Sequence, residues 1–155
     1  MTTDTTDTTD TKGTTGNAAL DAVLVGAPLE SFEYVITQEM LDEYRRIVDD
    51  PNAAYPTVAG RHPLRAWMNK YGDSIPVLNA GAESEYFNPV VPGKRIRVDA
   101  VVADKYMNRG KPYVLVDSSA VDEDGRMIEK SRLIGVAAQD GKPLFSEVTR
   151  KWNKN

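Results

Sequence analysis

The feature that most constrains the fold is a run of strand-like alternation over residues 94 to 138, entered through Pro76–Pro92, PVLNAGAESEYFNPVVP. The entry segment leads with apolar residues and passes through Glu83, Ser84, Glu85, Tyr86 and Phe87. It ends on a turn built from Asn88, Pro89, Pro92 and Gly93. Lys94 to Tyr106, Tyr113 to Val121 and Met127 to Ala138 follow. Ile96, Val98, Ala100 and Val102 alternate with Arg95, Arg97, Asp99 and Val101, the two-residue period of a strand with one buried face. Val114, Val116, Ser118 and Ala120 share a face of the next run. The gaps carry turn chemistry: Asn108-Arg109-Gly110-Lys111-Pro112, the hairpin pair Asp124-Gly125, and Asp140-Gly141.

Upstream the pattern changes. Leu20, Val23 and Leu24 fit a short helical turn stopped by Gly26 and Pro28. Phe32 to Ile36 is aromatic and β-branched and reads as a first strand. Thr37 is a good N-cap, and Met40, Leu41, Tyr44, Ile47 and Val48 then fall on one face of a helix ending near Asp49. A loop runs from Asp50 to His62. Pro63 opens a second helix, with Leu64, Trp67, Met68 and Tyr71 on one face and Gly72 as its stop. This order predicts an α+β fold, a curved antiparallel sheet whose concave face needs a cover, and Leu64–Tyr71 is the natural one.

Residues 1 to 18 repeat Thr-Thr-Asp with almost no apolar side chain, too little to offset ordering entropy, so a disordered tail is expected there and a single domain over 19–155. At the other end, Phe145, Val148 and Trp152 are expected to dock the segment from Pro143 to Asn155.

With 155 residues, 41% of them hydrophobic, the chain can bury a real core. A net charge of −4 argues against nucleic acid as the main partner. No apolar run approaches the roughly 18 residues a membrane span needs, and no secretory leader is visible, so a cytoplasmic protein is expected. Cysteine is absent, which removes thiol nucleophiles and cysteine-held zinc. No metal and no cofactor is expected. One histidine, His62, is present, so no mechanism within this chain can use two imidazoles.

The Pro89-Val90-Val91-Pro92-Gly93 turn before a strand, the Asn108-Arg109-Gly110-Lys111 turn and Asp124-Gly125 before a last strand occur in an order that resembles the MaoC-like dehydratases and (R)-specific enoyl hydratases. The resemblance covers roughly Phe32 to Ala138. It implies the hot-dog fold, a curved antiparallel sheet wrapped around a central helix. In that family an Asp, any residue, an Asn, a Pro, an aliphatic residue and a His hold the catalytic pair. Asp50-Pro51-Asn52-Ala53-Ala54-Tyr55 matches at Asp50 and Asn52, with Ala53 in place of the Pro and Tyr55 in place of the His. In active members the His and Asp activate a water that adds to a trans-2-enoyl thioester or leaves a 3-hydroxyacyl one. Histidine suits that work because it titrates near neutral pH, whereas a phenol titrates near 10.

Some dehydratases of this family are two-chain assemblies in which one chain carries the Asp–His pair and a sister shapes the acyl tunnel. The resemblance implies that this chain is such a sister. It would act on an acyl-CoA or acyl-carrier-protein thioester in a hetero- or homodimer with a MaoC-like chain. Two alternatives stay open: a self-sufficient homodimeric enzyme using Asp50, His62 or Tyr55, and a binding module for acyl thioesters without chemistry. Pro63, Leu64, Trp67, Asn79 and Gly81 are the substrate-binding candidates, with the first amides of the second helix able to polarise a thioester carbonyl. Arg97, Arg109 and Lys111, with Arg95 and Lys142, are candidates for coenzyme A phosphates or a carrier-protein surface. Glu83 and Glu85 alternate on one strand face and are expected to point outward.

Overall fold

The computed structural model describes residues 15–55 and 61–142. Most of the expected N-terminal tail, the end of the loop before Arg61 and the docking of Phe145, Val148 and Trp152 lie outside the described residues. The folded body begins earlier than expected. Thr15 and Asn17 are buried, Asn17 accepts from the Leu20 amide at 3.0 Å, and its amide donates to the Ala138 carbonyl at 2.7 Å.

The elements in order are α1 (Ala18–Asp21), β1 (Phe32–Val35), α2 (Gln38–Val48), α3 (His62–Tyr71), β2 (Val77–Tyr86), β3 (Arg95–Asn108), β4 (Lys111–Asp122) and β5 (Met127–Ala137). All strand pairs are antiparallel, and the five strands lie in the order β1-β3-β4-β5-β2. The turns are where the sequence puts them. Arg109 and Gly110 both have positive φ, 50° and 75°, as a two-residue hairpin requires, and they close the Asn108–Lys111 pair. Bulges at Asn79/Gly81, Val102/Asp104 and Ala120/Val121 bend the strands and help the sheet to curl.

The concave face holds the core. Ile96, Val98, Ala100 and Val102 of β3 and Val114, Val116, Ser118 and Ala120 of β4 are buried, as their alternation predicts. The α3 helix packs on β3, β4 and β5 and covers that face. Trp67 is fully buried, and its indole N–H donates to the Ile75 carbonyl at 2.9 Å. One apolar cluster surrounds Trp67. A second, built on Ile36, Ile96, Val98, Ala120 and Ile128, fills the other end.

Two helix faces differ from expectation. The buried line of α3 runs through His62, Pro63, Ala66 and Trp67, while Leu64 and Tyr71 are half-buried and Met68 is exposed. In α2 only Leu41 is buried, and Ile47 is 67% exposed. Periodicity showed which α2 residues share a face; it did not show that anything in this chain covers it.

Candidate functional site

The loop after α2 carries the residues that match the family signature, and its local hydrogen bonds explain its shape. Asp49 ends the helix in the left-handed region, φ 55°. Asp50 Oδ1 accepts from the Asn52 amide at 2.9 Å, an Asp side chain closing a turn on its own backbone. The Arg45 guanidinium donates to the Ala53 carbonyl at 2.9 Å and ties the loop to α2. Asp50 and Asn52 are exposed. Tyr55 is half-buried and packs on Tyr44, ring centroids 5.4 Å apart. It lines a cavity of about 300 Å³ with Ala54, Tyr86, Phe87, Asn88, Pro89 and Val90.

His62 stands at the first turn of α3, over one row of the sheet. In register, Phe32, Val98, Ala120, Glu129 and Tyr86 lie side by side across all five strands. The imidazole bridges that row. Nδ1 makes a close contact with a carboxylate oxygen of Glu129, and Nε2 lies 2.7 Å from the Tyr34 hydroxyl. The Phe32 ring packs edge-on against it, and the Arg65 guanidinium sits over Phe32, 4.3 Å from the ring centre. Glu129 is fully buried, His62 is buried, and Tyr34 is half-buried.

The Glu129 carboxyl faces Nδ1 and the Tyr34 hydroxyl faces Nε2, so the imidazole lies between a proton acceptor and a group that can donate or accept. Burial pushes the Tyr34 phenol well above its ordinary pKa. The Glu129 charge and nearby Tyr55 add to the rise, and Arg65 opposes it. Tyr34 is therefore held as a neutral hydroxyl.

Glu129 and Tyr34 were not singled out by the sequence analysis. The signal for Glu129 is its phase: it falls in step with Ser131, Leu133 and Ala137, the inward residues of β5. The bulge that pairs Ala120 with Glu129 and Val121 with Met127 leaves Ile128 buried as well, and so hides this from simple alternation.

The remaining candidates are scattered. Pro63 and Trp67 are buried on the inner side of α3, with Leu64 packed on the Trp67 cluster. Pro63 has no amide, and among the described residues no side chain caps α3. Asn79 and Gly81 flank the bulge in β2, opposite Gly135 and Ile134. Arg97 bonds Asp99 at 3.1 Å, and Arg95 lies 3.7 Å from Glu33. Arg109 and Lys111 form the β3–β4 hairpin tip, about a dozen strand residues from Arg97 and at the far end of the sheet from His62. Lys142 reaches Gln139 at 3.4 Å. Glu83 and Glu85 face cations, opposite Arg132 and Lys130, in a surface groove of about 340 Å³. Arg132 in turn grips Asp117 with two hydrogen bonds of 2.6 and 2.8 Å. That set is a cross-strand charge ladder. Among the described residues no group of three His, Asp or Glu side chains is arranged to hold a metal ion.

No family model matches the sequence, and no curated protein matches it. Solved structures do. A MaoC-like dehydratase from Rhodospirillum rubrum is 20% identical, with 81% of this chain and 98% of that one covered at a TM-score of 0.57. The C-terminally truncated HadBC (3R-hydroxyacyl-ACP dehydratase) complex of Mycobacterium tuberculosis matches at 10% identity over 75% of this chain and 98% of that one, TM-score 0.60. A Thermus thermophilus hypothetical protein described as a thioesterase superfamily member is 21% identical, with 86% and 98% covered, TM-score 0.61. At such identities the likeness is one of architecture: the chain has the hot-dog fold.

Proposed function

We propose that this chain is one subunit of an (R)-specific enoyl-thioester hydratase or 3-hydroxyacyl-thioester dehydratase. It shapes the acyl pocket while a partner chain supplies the Asp–His pair. The observation that carries this reading is the fate of the chain's single imidazole. His62 is engaged at both ring nitrogens inside the protein, and the loop position where the family keeps its base holds Tyr55. Asp50 is committed to its own turn. A base must reach the proton it removes, and the imidazole that does this in the family has no counterpart in the Asp50–Tyr55 loop.

The sheet edge supports the same reading. β2 is ten residues long and, among the described residues, has β5 on one side only. A long unpaired edge is a template for a second chain. The HadBC structure is named as a complex, which is the kind of assembly this reading requires.

The test mixes the purified chain with a MaoC-like chain that carries the complete Asp–X–Asn–Pro–aliphatic–His sequence. Crotonyl-CoA and long-chain trans-2-enoyl-CoA are supplied, and the 3-hydroxyacyl product is counted by mass spectrometry. Hydration well above the sum of the separate chains is the expected result, and replacing the partner's His should abolish it. No gain at any acyl length, with both chains folded, would exclude the subunit role. Full hydration by this chain alone would make it self-sufficient.

A further inference from the structure

In an antiparallel sheet with one solvated side, the outward residues of each strand are ordinarily polar. On the convex face of this sheet the rule holds at one end and breaks at the other. Register sets the outward side chains in levels across β3, β4, β5 and β2. Tyr106, Tyr113, Val136 and Leu78 form the first level. Leu115 and Ile134 lie side by side on β4 and β5 in the second, and Asp117 and Arg132 in the third. Tyr106 is exposed, the other apolar members are half-buried, and the Tyr106 and Tyr113 rings stack with centroids 5.3 Å apart. The stripe belongs to neither core cluster.

We infer that the convex face, from the Tyr106–Leu78 level to the Asp117–Arg132 level, is an interface at which two copies of this chain pack back to back. The pairing of β4 with β5 identifies the occupant. At each of the three levels these two strands present groups that suit one another: a ring and a valine, a leucine and an isoleucine, a carboxylate and a guanidinium. A two-fold axis running along the strands between β4 and β5 exchanges the two strands at the same level. It sets Tyr113 on Val136 of the second copy, Leu115 on Ile134 and Asp117 on Arg132, each contact made twice, with Tyr106 on Leu78 outside them. Packed sheets keep their strands within about 30° of alignment, so the levels stay opposed near the axis. Self-complementarity of this kind is what a two-fold interface requires and what a foreign partner does not need. The Asp117–Arg132 pair fits the same reading. Within one chain it makes hydrogen bonds of 2.6 and 2.8 Å while partly exposed, and an ion pair on an open surface contributes little. Between two copies each guanidinium, with donors to spare, also reaches the carboxylate across the axis, and the pairs close into a ring of four charges shielded from water.

The experiment measures the mass of the purified full chain by sedimentation equilibrium, wild type beside Asp117→Arg and Arg132→Asp. In the first variant two guanidinium groups face each other across the axis, and in the second two carboxylates do. Each should associate about a hundred-fold or more weakly than wild type, with circular dichroism showing it folded. Mixed one to one, the two variants should regain the wild-type mass, because each then meets the opposite charge on the other copy. A role in folding alone cannot produce that rescue, since mixing restores neither chain's internal pair. A second measurement needs no variant. The wild-type melting temperature should rise with protein concentration, as it does when folded copies associate. A monomeric wild type, single variants of wild-type mass, a mixture that gains nothing or a melting temperature independent of concentration each overturn the inference. The first of these would give the face to a different protein. Neither the β2 edge nor the Asp50–Tyr55 loop takes part, so failure here leaves the subunit reading and its hydration test standing, and the reverse also holds.

Discussion

Tyr34 offers a test at the scale of one residue that is independent of any substrate. Its phenol is raised by burial first and by the Glu129 charge second. A free phenol titrates near 10, so the folded state holds this proton more tightly than the unfolded chain does. The stabilisation is complete below about pH 10 and is lost as pH rises from there toward the higher folded value. Wild type should therefore lose more stability between about pH 9 and 11 than Tyr34→Phe, which has no phenol to ionise. Urea midpoints at the two pH values measure the difference; parallel losses would show that Tyr34 is not held as described. At this scale the sequence was half legible. His62 stood out because it is the only histidine, and Tyr55 because it breaks a motif. Glu129 did not, because a lone acidic residue in a strand reads as solvent-facing until its phase with Leu133 and Ala137 is weighed.

At the scale of elements, legibility followed physical specificity. Period-two alternation with a turn signal at each end has few other solutions, so β3, β4, β5 and their hairpins were read correctly. Helix faces were less legible, because a 3.6-residue stripe fixes which residues neighbour one another and not what they pack against. Crowding at one glycine of the sheet, Gly135, was hidden from sequence altogether. A Cβ on Gly135 would lie 3.2 Å from Val114 Cγ1 and 3.4 Å from Val77 Cβ, whereas one on Gly81 would meet nothing nearer than Ile134 Cδ1 at 3.4 Å. Gly135→Ala should therefore destabilise the chain by about 1–3 kcal/mol through overpacking. Gly81→Ala should cost less, since its nearest contact is an ordinary one at a flexible side-chain end. Chemical denaturation ranks the two, and the reverse order would mean that β2 and β5 pack differently from the register given above.

For the molecule as a whole, the proposed assembly turns on the outer edge of β2, which no other described strand pairs, and its backbone says how to block it. The Phe87 amide donates inward to the Ile128 carbonyl at 2.9 Å. In an antiparallel pair, alternate residues turn their amides to the same neighbour, so those of Glu85 and Glu83 also face β5. The amides of Tyr86, Ser84 and Ala82 then face the open side, and the register between residues 82 and 86 is unbroken. Proline is tolerated at an edge position whose N–H points to solvent and forbidden where a second strand needs that donor. Ala82→Pro should thus fold with little loss of stability while failing to associate with a second hot-dog chain through this edge. Sedimentation of the purified variant, alone and mixed with the partner of the hydration assay, separates the cases. If it associates with that partner as well as wild type, assembly uses another surface, and the exposed apolar residues of α2, Ile47 first, become the ones to mutate next. If association and the gain in hydration disappear together while the isolated chain stays folded, the acyl pocket is completed across β2, and the subunit role follows from the topology of the sheet.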